Sequence, residues 1–226
     1  MSAISAEKGS FGHNQSTGRT MATMNIQVII AHPRPDSFCH GLLQHVAERL
    51  KDAGHDLLVH DLYAEGFDPV LRAEETYTTG DAIEQTLARA SDPVVQQHRS
   101  EIAQAQGLLV VHPNWWGKPP AMLAGWMDRI LVPGVAYRLE SGEGLPAGLL
   151  KIRSALILNT SDTPADREAM LGDPLQRIWE NCVLPYCGVA SVTRRMFGPI
   201  AGSAPAEREA WLDEAAALAR HAFPDT

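Results

Sequence analysis

The sequence predicts an α/β fold: a doubly wound, five-stranded parallel sheet with helices on both faces. Three observations carry this expectation. Apolar, β-branched or leucine-rich runs recur at residues 26–31, 56–60, from 108, at 155–159 and at 189–193, and segments of helical periodicity separate them. The runs are continuous rather than alternating, as parallel strands covered on both faces require. The first, third and fourth runs each end in a polar or aromatic loop, the place where open parallel sheets bind ligands.

Each element has a local reason. Residues 1–24 are rich in Ser, Thr, Gly, Asn and Gln without an apolar period, so a disordered extension is expected there and the folded domain over 25–226. After the first strand, Pro33 and Pro35 bar a helix before Asp36, and Asp36 or Ser37 can cap one that runs through Leu42, Leu43, Val46 and Leu50 to Gly54. A second strand at 56–60 leads into an irregular stretch over 66–80, and Asp92-Pro93 opens a helix through Val95 and Ile102. The central run from Leu108 breaks at Pro113, passes through Trp115-Trp116, and gives way after Pro119-Pro120 to a helix holding Met122, Trp126 and Ile130. Trp126 is expected to pack, and Asp128-Arg129 to form a local surface or interface ion pair. A glycine-rich turn with Gly142, Gly144 and Gly148 precedes the fourth strand; a helix near 175–183, a last strand at 189–193 and a helix over 206–220 follow.

Composition narrows the function. The formal net charge is -8, which disfavours a nucleic-acid or anionic-membrane surface. No run approaches the ~18 apolar residues of a membrane span, so no stable membrane insertion is expected. Cys39, Cys182 and Cys187 have no paired spacing, which points away from a disulfide framework and suits a cytoplasmic protein. His32 and His112 each precede a proline at a strand end, but no third ligand stands at useful spacing, so no metal is expected.

The loop after strand one offers a helix N-terminus to an anion, although Ser37 can equally be an ordinary cap. The Trp115-Trp116 loop can cover a planar ligand, or else one tryptophan can pack and the other anchor a subunit contact. Together with Asn159-Thr160-Ser161-Asp162 after strand four, these loops suit a ligand with phosphate at one end and a flat ring at the other, flavin being the obvious candidate.

On Ala31-His32-Pro33 with Ser37-Phe38, on Asp61-Leu62-Tyr63, and above all on His112-Pro113-Asn114-Trp115-Trp116-Gly117 with Pro120-Ala121, Gly125-Trp126, Asp128-Arg129 and Ala136-Tyr137, the chain resembles the flavodoxin-like NAD(P)H:quinone oxidoreductases. That family includes quinone reductases of the DT-diaphorase type and the flavoprotein ancillary subunits of bacterial potassium efflux systems. The resemblance implies that His32, Ser37, Phe38, Cys39 and Gly41 line flavin phosphates, Pro113, Asn114, Trp115, Trp116 and Gly117 lie along the ring, and Asn159, Thr160, Ser161 and Asp162 approach its polar edge. It assigns Tyr137 to the substrate pocket as the catalytic candidate. It implies FAD, with FMN the alternative, NAD(P)H as hydride donor, a quinone or similar small-molecule acceptor, and a homodimer. The adenine half of FAD is expected along the 66–92 stretch. A regulatory subunit of a membrane transporter is the alternative function. The chain departs from the diaphorase type where Ser161-Asp162-Thr163-Pro164 replaces a glycine pair, and where no tyrosine or histidine follows over 165–173.

Overall fold

The structure is a computed structural model that describes residues 23–78, 80, 82–90, 92–138 and 146–224. Residues 1–22 of the expected extension, and Gly142 and Gly144 of the expected turn, lie outside the described residues. Met24, assigned to the extension, is built into the fold: it is buried, and its N–H donates to His55 Nδ1 (3.3 Å).

In chain order the elements are β1 (Asn25–Ile30), α1 (Phe38–Asp52) and β2 (Asp56–Asp61), then a 3₁₀ turn at Ala73–Glu75, α2 (Ile83–Arg89), α3 (Pro93–Gln104), β3 (Gly107–Pro113) and α4 (Ala121–Ile130). The short strands β4 (Tyr137–Arg138) and β5 (Ala147–Gly148) pair as an antiparallel ribbon. There follow β6 (Ser154–Thr160), α5 (Ala165–Met170), and a helical stretch made of α6 (Pro174–Gln176), π-helical Arg177–Val183 and α7 (Leu184–Tyr186). Strand β7 (Ser191–Phe197) and α8 (Pro205–Ala222) close the fold.

The main sheet has the order β2-β1-β3-β6-β7, every pairing parallel. The chain steps outward from β1 to β2 and then back past β1 to β3, so the order reverses between β1 and β3; at such a switch point the flanking loops part and leave a crevice. Alternation of side chains sends Val28, Ile30, Val111 and Leu158 to one face, under α1 and α8, and Ile29, Val110 and Ile157 to the other, under α3, α4 and the π-helical stretch.

The structure departs from the sequence expectation at several places. The last strand begins at Ser191 and runs to Phe197, beyond the expected end at Thr193. Within this extension the Arg194 guanidinium is buried and paired, whereas Arg195 pairs with Glu214 at the surface. The helix near 175–183 is π-helical in its centre, and α2 and α5 were not anticipated from periodicity because each is short. Arg129 is no surface partner of Asp128: it is buried, it clamps Glu75 through Nε and Nη2 (3.0 and 2.6 Å), and its Nη1 donates to the Asp68 carbonyl (2.7 Å). One side chain of α4 thereby fixes the stretch that the sequence leaves irregular.

Candidate active site

The loops after β1, β3 and β6 meet around a cavity of about 240 Å³ whose walls include His32, Ser37, Phe38, Cys39, Pro113, Asn114, Trp115, Thr160, Ser161 and Asp162. Its first end is made by the start of α1. Ser37 is the N-cap: its hydroxyl accepts the His40 N–H (3.4 Å), and its carbonyl accepts the Gly41 N–H (3.1 Å). The first turn of a helix has no intrahelical acceptors for its N–H groups, so those of Phe38 and Cys39 remain for a ligand, backed by the positive end of the helix dipole. Gly41 is thus part of the cap and does not line the cavity.

Behind the cap, Ser37 Oγ lies 3.0 Å from His40 Nδ1 and His40 Nε2 lies 3.0 Å from Asp61 Oδ2, while the other oxygen of Asp61 accepts the N–H groups of Tyr63 and Ala64 (both 3.1 Å). The sequence reading missed His40, although its spacing three residues after the cap was visible. Serine, histidine and aspartate stand here in series, but the serine is engaged in holding a helix start, so the chain acts as a brace for the anion end. His32 is half-buried, accepts the Arg34 N–H at Nδ1 (3.1 Å), and has its pKa lowered chiefly by burial. Cys39 Sγ sits 3.2 Å from Thr160 Oγ1, and burial pushes its thiol up to about 12, which leaves it unreactive.

The second end is the turn after β3. Trp115 and Lys118 exchange backbone hydrogen bonds (3.3 and 3.2 Å), and Trp116 and Gly117 between them both have positive φ, +61° and +71°. This is the geometry of a type I′ turn, in which a tryptophan at the first central position pays a steric cost of about 1–3 kcal/mol. Gly117 is required twice over, by its φ and because an added Cβ would lie 3.0 Å from Pro174. Trp116 gains no burial from the strain: it is 97% exposed, against 38% for Trp115. Asn114 holds the turn from beneath, its Oδ1 accepting the Gly117 N–H (2.9 Å) and its Nδ2 donating to buried Glu168 (2.6 Å), while its backbone N–H donates to the Thr160 carbonyl (2.7 Å).

Asn159 does not line the cavity; it lies under the turn, directly across from His112 in the β3–β6 register. His112 Nε2 accepts from Trp179 Nε1 (3.0 Å) and Asn159 Nδ2 (2.9 Å), so its proton sits on Nδ1 and is donated to the Pro113 carbonyl (2.9 Å). Burial pushes its pKa down to about 4, which keeps the ring neutral. Arg194 completes the group, Nε donating to Asn159 Oδ1 (2.6 Å) and Nη1 to Asp173 (2.7 Å). Glu168, Asp173, Trp179 and Arg194 were not foreseen, because only the sheet order brings them to His112. Asp162 accepts the Ala201 N–H (2.7 Å), and Ser161 exchanges backbone bonds with Phe197 and Ile200 (both 3.0 Å), tying this edge to the end of β7.

Tyr137 is not brought to this cavity. It lines a separate one of about 640 Å³, mostly apolar, whose walls also include Leu71, Ile83, Leu131, Val183 and Tyr186; the Tyr137 and Tyr186 rings meet edge to face at 4.8 Å. The stretch over 66–92 lines this second cavity and not the first, so within one chain it is not placed to hold an adenine beside the turn.

His60, Glu65 and His98 offer ligand atoms within 4.8 Å of one another. Their hydrogen bonds oppose a metal: Trp126 Nε1 donates to His98 Nδ1 (2.9 Å), which leaves the proton on Nε2, the atom that faces Glu65 (3.3 Å) and that a metal would have to use. With His60 bridging Glu65 (2.9 Å) and Glu101 (2.8 Å), the cluster is a brace that shares protons.

A family described as having a flavodoxin-like fold matches residues 24–221. The chain is 31% identical over 180 residues to an uncharacterized NAD(P)H oxidoreductase of Haemophilus influenzae, covering 78% of this chain and 85% of the relative. It is 27% identical over 197 residues to the ribosyldihydronicotinamide dehydrogenase [quinone] of Rattus norvegicus, covering 79% and 84%. Among solved structures, an NAD(P)H:quinone oxidoreductase from Methanothermobacter marburgensis superposes with a TM-score of 0.76 at 28% identity, covering 88% of this chain and 98% of the other. With its sheet order, its switch-point cavity and these relatives, the chain belongs to the flavodoxin-like-fold family that contains the NAD(P)H oxidoreductases and quinone reductases.

Proposed function

We infer that the protein is a flavin-dependent NAD(P)H oxidoreductase whose electron acceptor is a quinone or a similar small molecule. The observation that carries this reading is the single cavity in which a helix N-terminus, a tryptophan turn and a hydroxyl-rich strand end converge. The residues fit a flavin. The N–H groups of Phe38 and Cys39, at a helix start that Ser37 and His40 hold in place, suit its phosphate. The aromatic faces of Trp115 and Trp116 and the fixed backbone of their turn suit its ring. Held there, a flavin would supply the redox chemistry that links NAD(P)H to the acceptor.

The chain's own task is to bind, orient and exclude water. Asn114 and His112 keep the turn rigid, so the Trp116 N–H, the one backbone donor of the turn not spent on its internal bonds among the described residues, would be offered to the ring without reorganisation. Trp116, strained and exposed at the tip of the turn, does not line the cavity but would be free to fold over whatever lies on the ring. The flavin is FAD in this reading, with FMN the alternative, and the protein works in the cytoplasm. Among the described residues no helix is long and apolar enough to cross a membrane.

The protein acts as a homodimer. Tyr137 reaches no flavin within its own chain, so its assigned place at the acceptor requires a second copy, and the mostly apolar 640 Å³ cavity beside it is the surface such a copy would cover.

The test is an absorption spectrum of the purified protein, repeated without oxygen after adding NADH or NADPH, with the released chromophore weighed and the oligomeric state measured by light scattering. Flavin bands that bleach with the nicotinamide, on a particle of twice the chain mass, are the expected result. A colourless protein that ignores added FAD and FMN overturns the reading, and recovery of a membrane transporter with a slowly turning flavoprotein favours the regulatory alternative.

A further inference from the structure

A row of polar side chains crosses three parallel strands beneath the tryptophan turn. His112 of β3 stands opposite Asn159 of β6, and Arg194 of β7 stands opposite Ile157, two residues before Asn159 and on the same face. The geometry points to Arg194 as the positioning residue of this end of the site: it fixes the Asn159 amide, and through it the His112 ring and the start of the turn. The inference rests on the flavin reading for what the turn holds.

An amide can present either its oxygen or its NH₂ to a neighbour. Arg194 Nε donates to Asn159 Oδ1 at 2.6 Å, which leaves Nδ2 to face His112 Nε2 at 2.9 Å and the His112 carbonyl at 3.2 Å. His112 Nε2, already taking the Trp179 N–H, must then be unprotonated, and the proton on Nδ1 goes to the Pro113 carbonyl at the entry of the turn. A reversed amide would set two acceptors against each other, and the imidazole would lose its fixed tautomer.

The cost of the arrangement supports a purpose beyond stability. The Arg194 side chain is 4% exposed, and burying a guanidinium costs desolvation that a well-packed apolar residue on an edge strand avoids. Its ion pair with Asp173 anchors a residue that itself sits at φ +39°, where it caps α6 with a bond from the Gln176 N–H (3.2 Å). Arg194 thus joins the strand carrying the amide to the segment whose Pro174 abuts Gly117.

Arg194→Lys and Asp173→Asn separate the two contacts. Lysine can keep the charge opposite Asp173 but has no Nε donor for Asn159; the asparagine variant keeps the Nε contact and loses the ion pair. The readouts are the ¹⁵N imidazole spectrum of His112 in flavin-free protein, the dissociation constants of FAD and FMN, and the melting temperature. Arg194→Lys is expected to melt close to wild type while losing the single Nδ1–H tautomer and weakening flavin binding about tenfold, as displaced outer-shell partners do. Asp173→Asn is expected to keep the tautomer and to change flavin affinity by less than about threefold, as loss of one partly exposed pair does. Arg194→Lys that keeps both tautomer and affinity, or Asp173→Asn that loses as much as Arg194→Lys, overturns the assignment. If wild-type protein takes up no flavin, the flavin reading fails and the imidazole spectra alone decide the role of Arg194.

Discussion

The two ends of the cavity are built by opposite means. At the anion end, cap, helix start and bracing histidine all fall between Ser37 and Gly41, and only Asp61 comes from another element. At the ring end, His112, Asn114, Asn159, Glu168, Asp173, Trp179 and Arg194 come from three strands and the segments between them, joined by buried and partly buried hydrogen bonds. A local device can lose one member and stay folded. A buried network tolerates a conservative exchange at its rim, as at Arg194 or Asp173, but not the deletion of a central member such as Asn159, which leaves polar and charged partners without water and without a bond. The anion end therefore tolerates change, whereas the ring end couples binding to the stability of the sheet.

That contrast can be broken first at Asn159. Asn159→Leu strips Arg194 of one partner and His112 of another, and is expected to cost about 3 kcal/mol in urea unfolding and to abolish flavin retention. Loss of flavin with unfolding unchanged would mean that the ring end is as local as the anion end. Acid sharpens the same point. His112 and His98 have pKa values near 4 against an ordinary 6.5, each lowered mainly by burial. The unfolded chain takes up these protons as pH falls through 6.5, so stability should decline between pH 6.5 and 4 and level off below, by on the order of 3 kcal/mol for each ring. A urea midpoint that stays flat over that window would show the rings to be charged in the fold.

Gly117→Val puts a β-branched residue at φ +71° beside Pro174, and should cost about 1–2 kcal/mol while displacing the turn and weakening flavin binding. Ser37→Ala removes one cap bond: about 1 kcal/mol in unfolding, with a loss of flavin affinity measured by fluorescence quenching that is not accompanied by unfolding. The smallest structural effect is reserved for Trp116→Ala. The side chain touches almost nothing, so stability should change by less than about 0.5 kcal/mol, and the change should appear as a raised KM for the acceptor. An unaltered KM would deny Trp116 a place over the ring.

The same contrast explains what could be read in the chain itself. The sheet, its five strands and the anion end follow from short-range signals: apolar runs, prolines that delay a helix, a serine able to cap it. The turn was visible as two tryptophans, but not its strain, which depends on the backbone bonds between Trp115 and Lys118. Arg194 was hidden because the expected strand ends at Thr193, one residue before it, and only the β6–β7 register puts it beside an amide. Arg129 was misread for a similar reason: its partner, Glu75, lies 54 residues away in a stretch with no periodicity. Tyr137 was assigned by resemblance, and no property of its neighbourhood in the sequence separates a residue lining one cavity from a residue lining the other.

The row across β3, β6 and β7 has a consequence for biosynthesis. A ribosome makes the anion end, β1 through β2, in the first third of the chain, but cannot close the ring end until Phe197 and the strand containing Arg194 have emerged. Ribosome-bound chains stalled before β7 should hold flavin weakly or not at all, and those stalled after α8 should hold it fully.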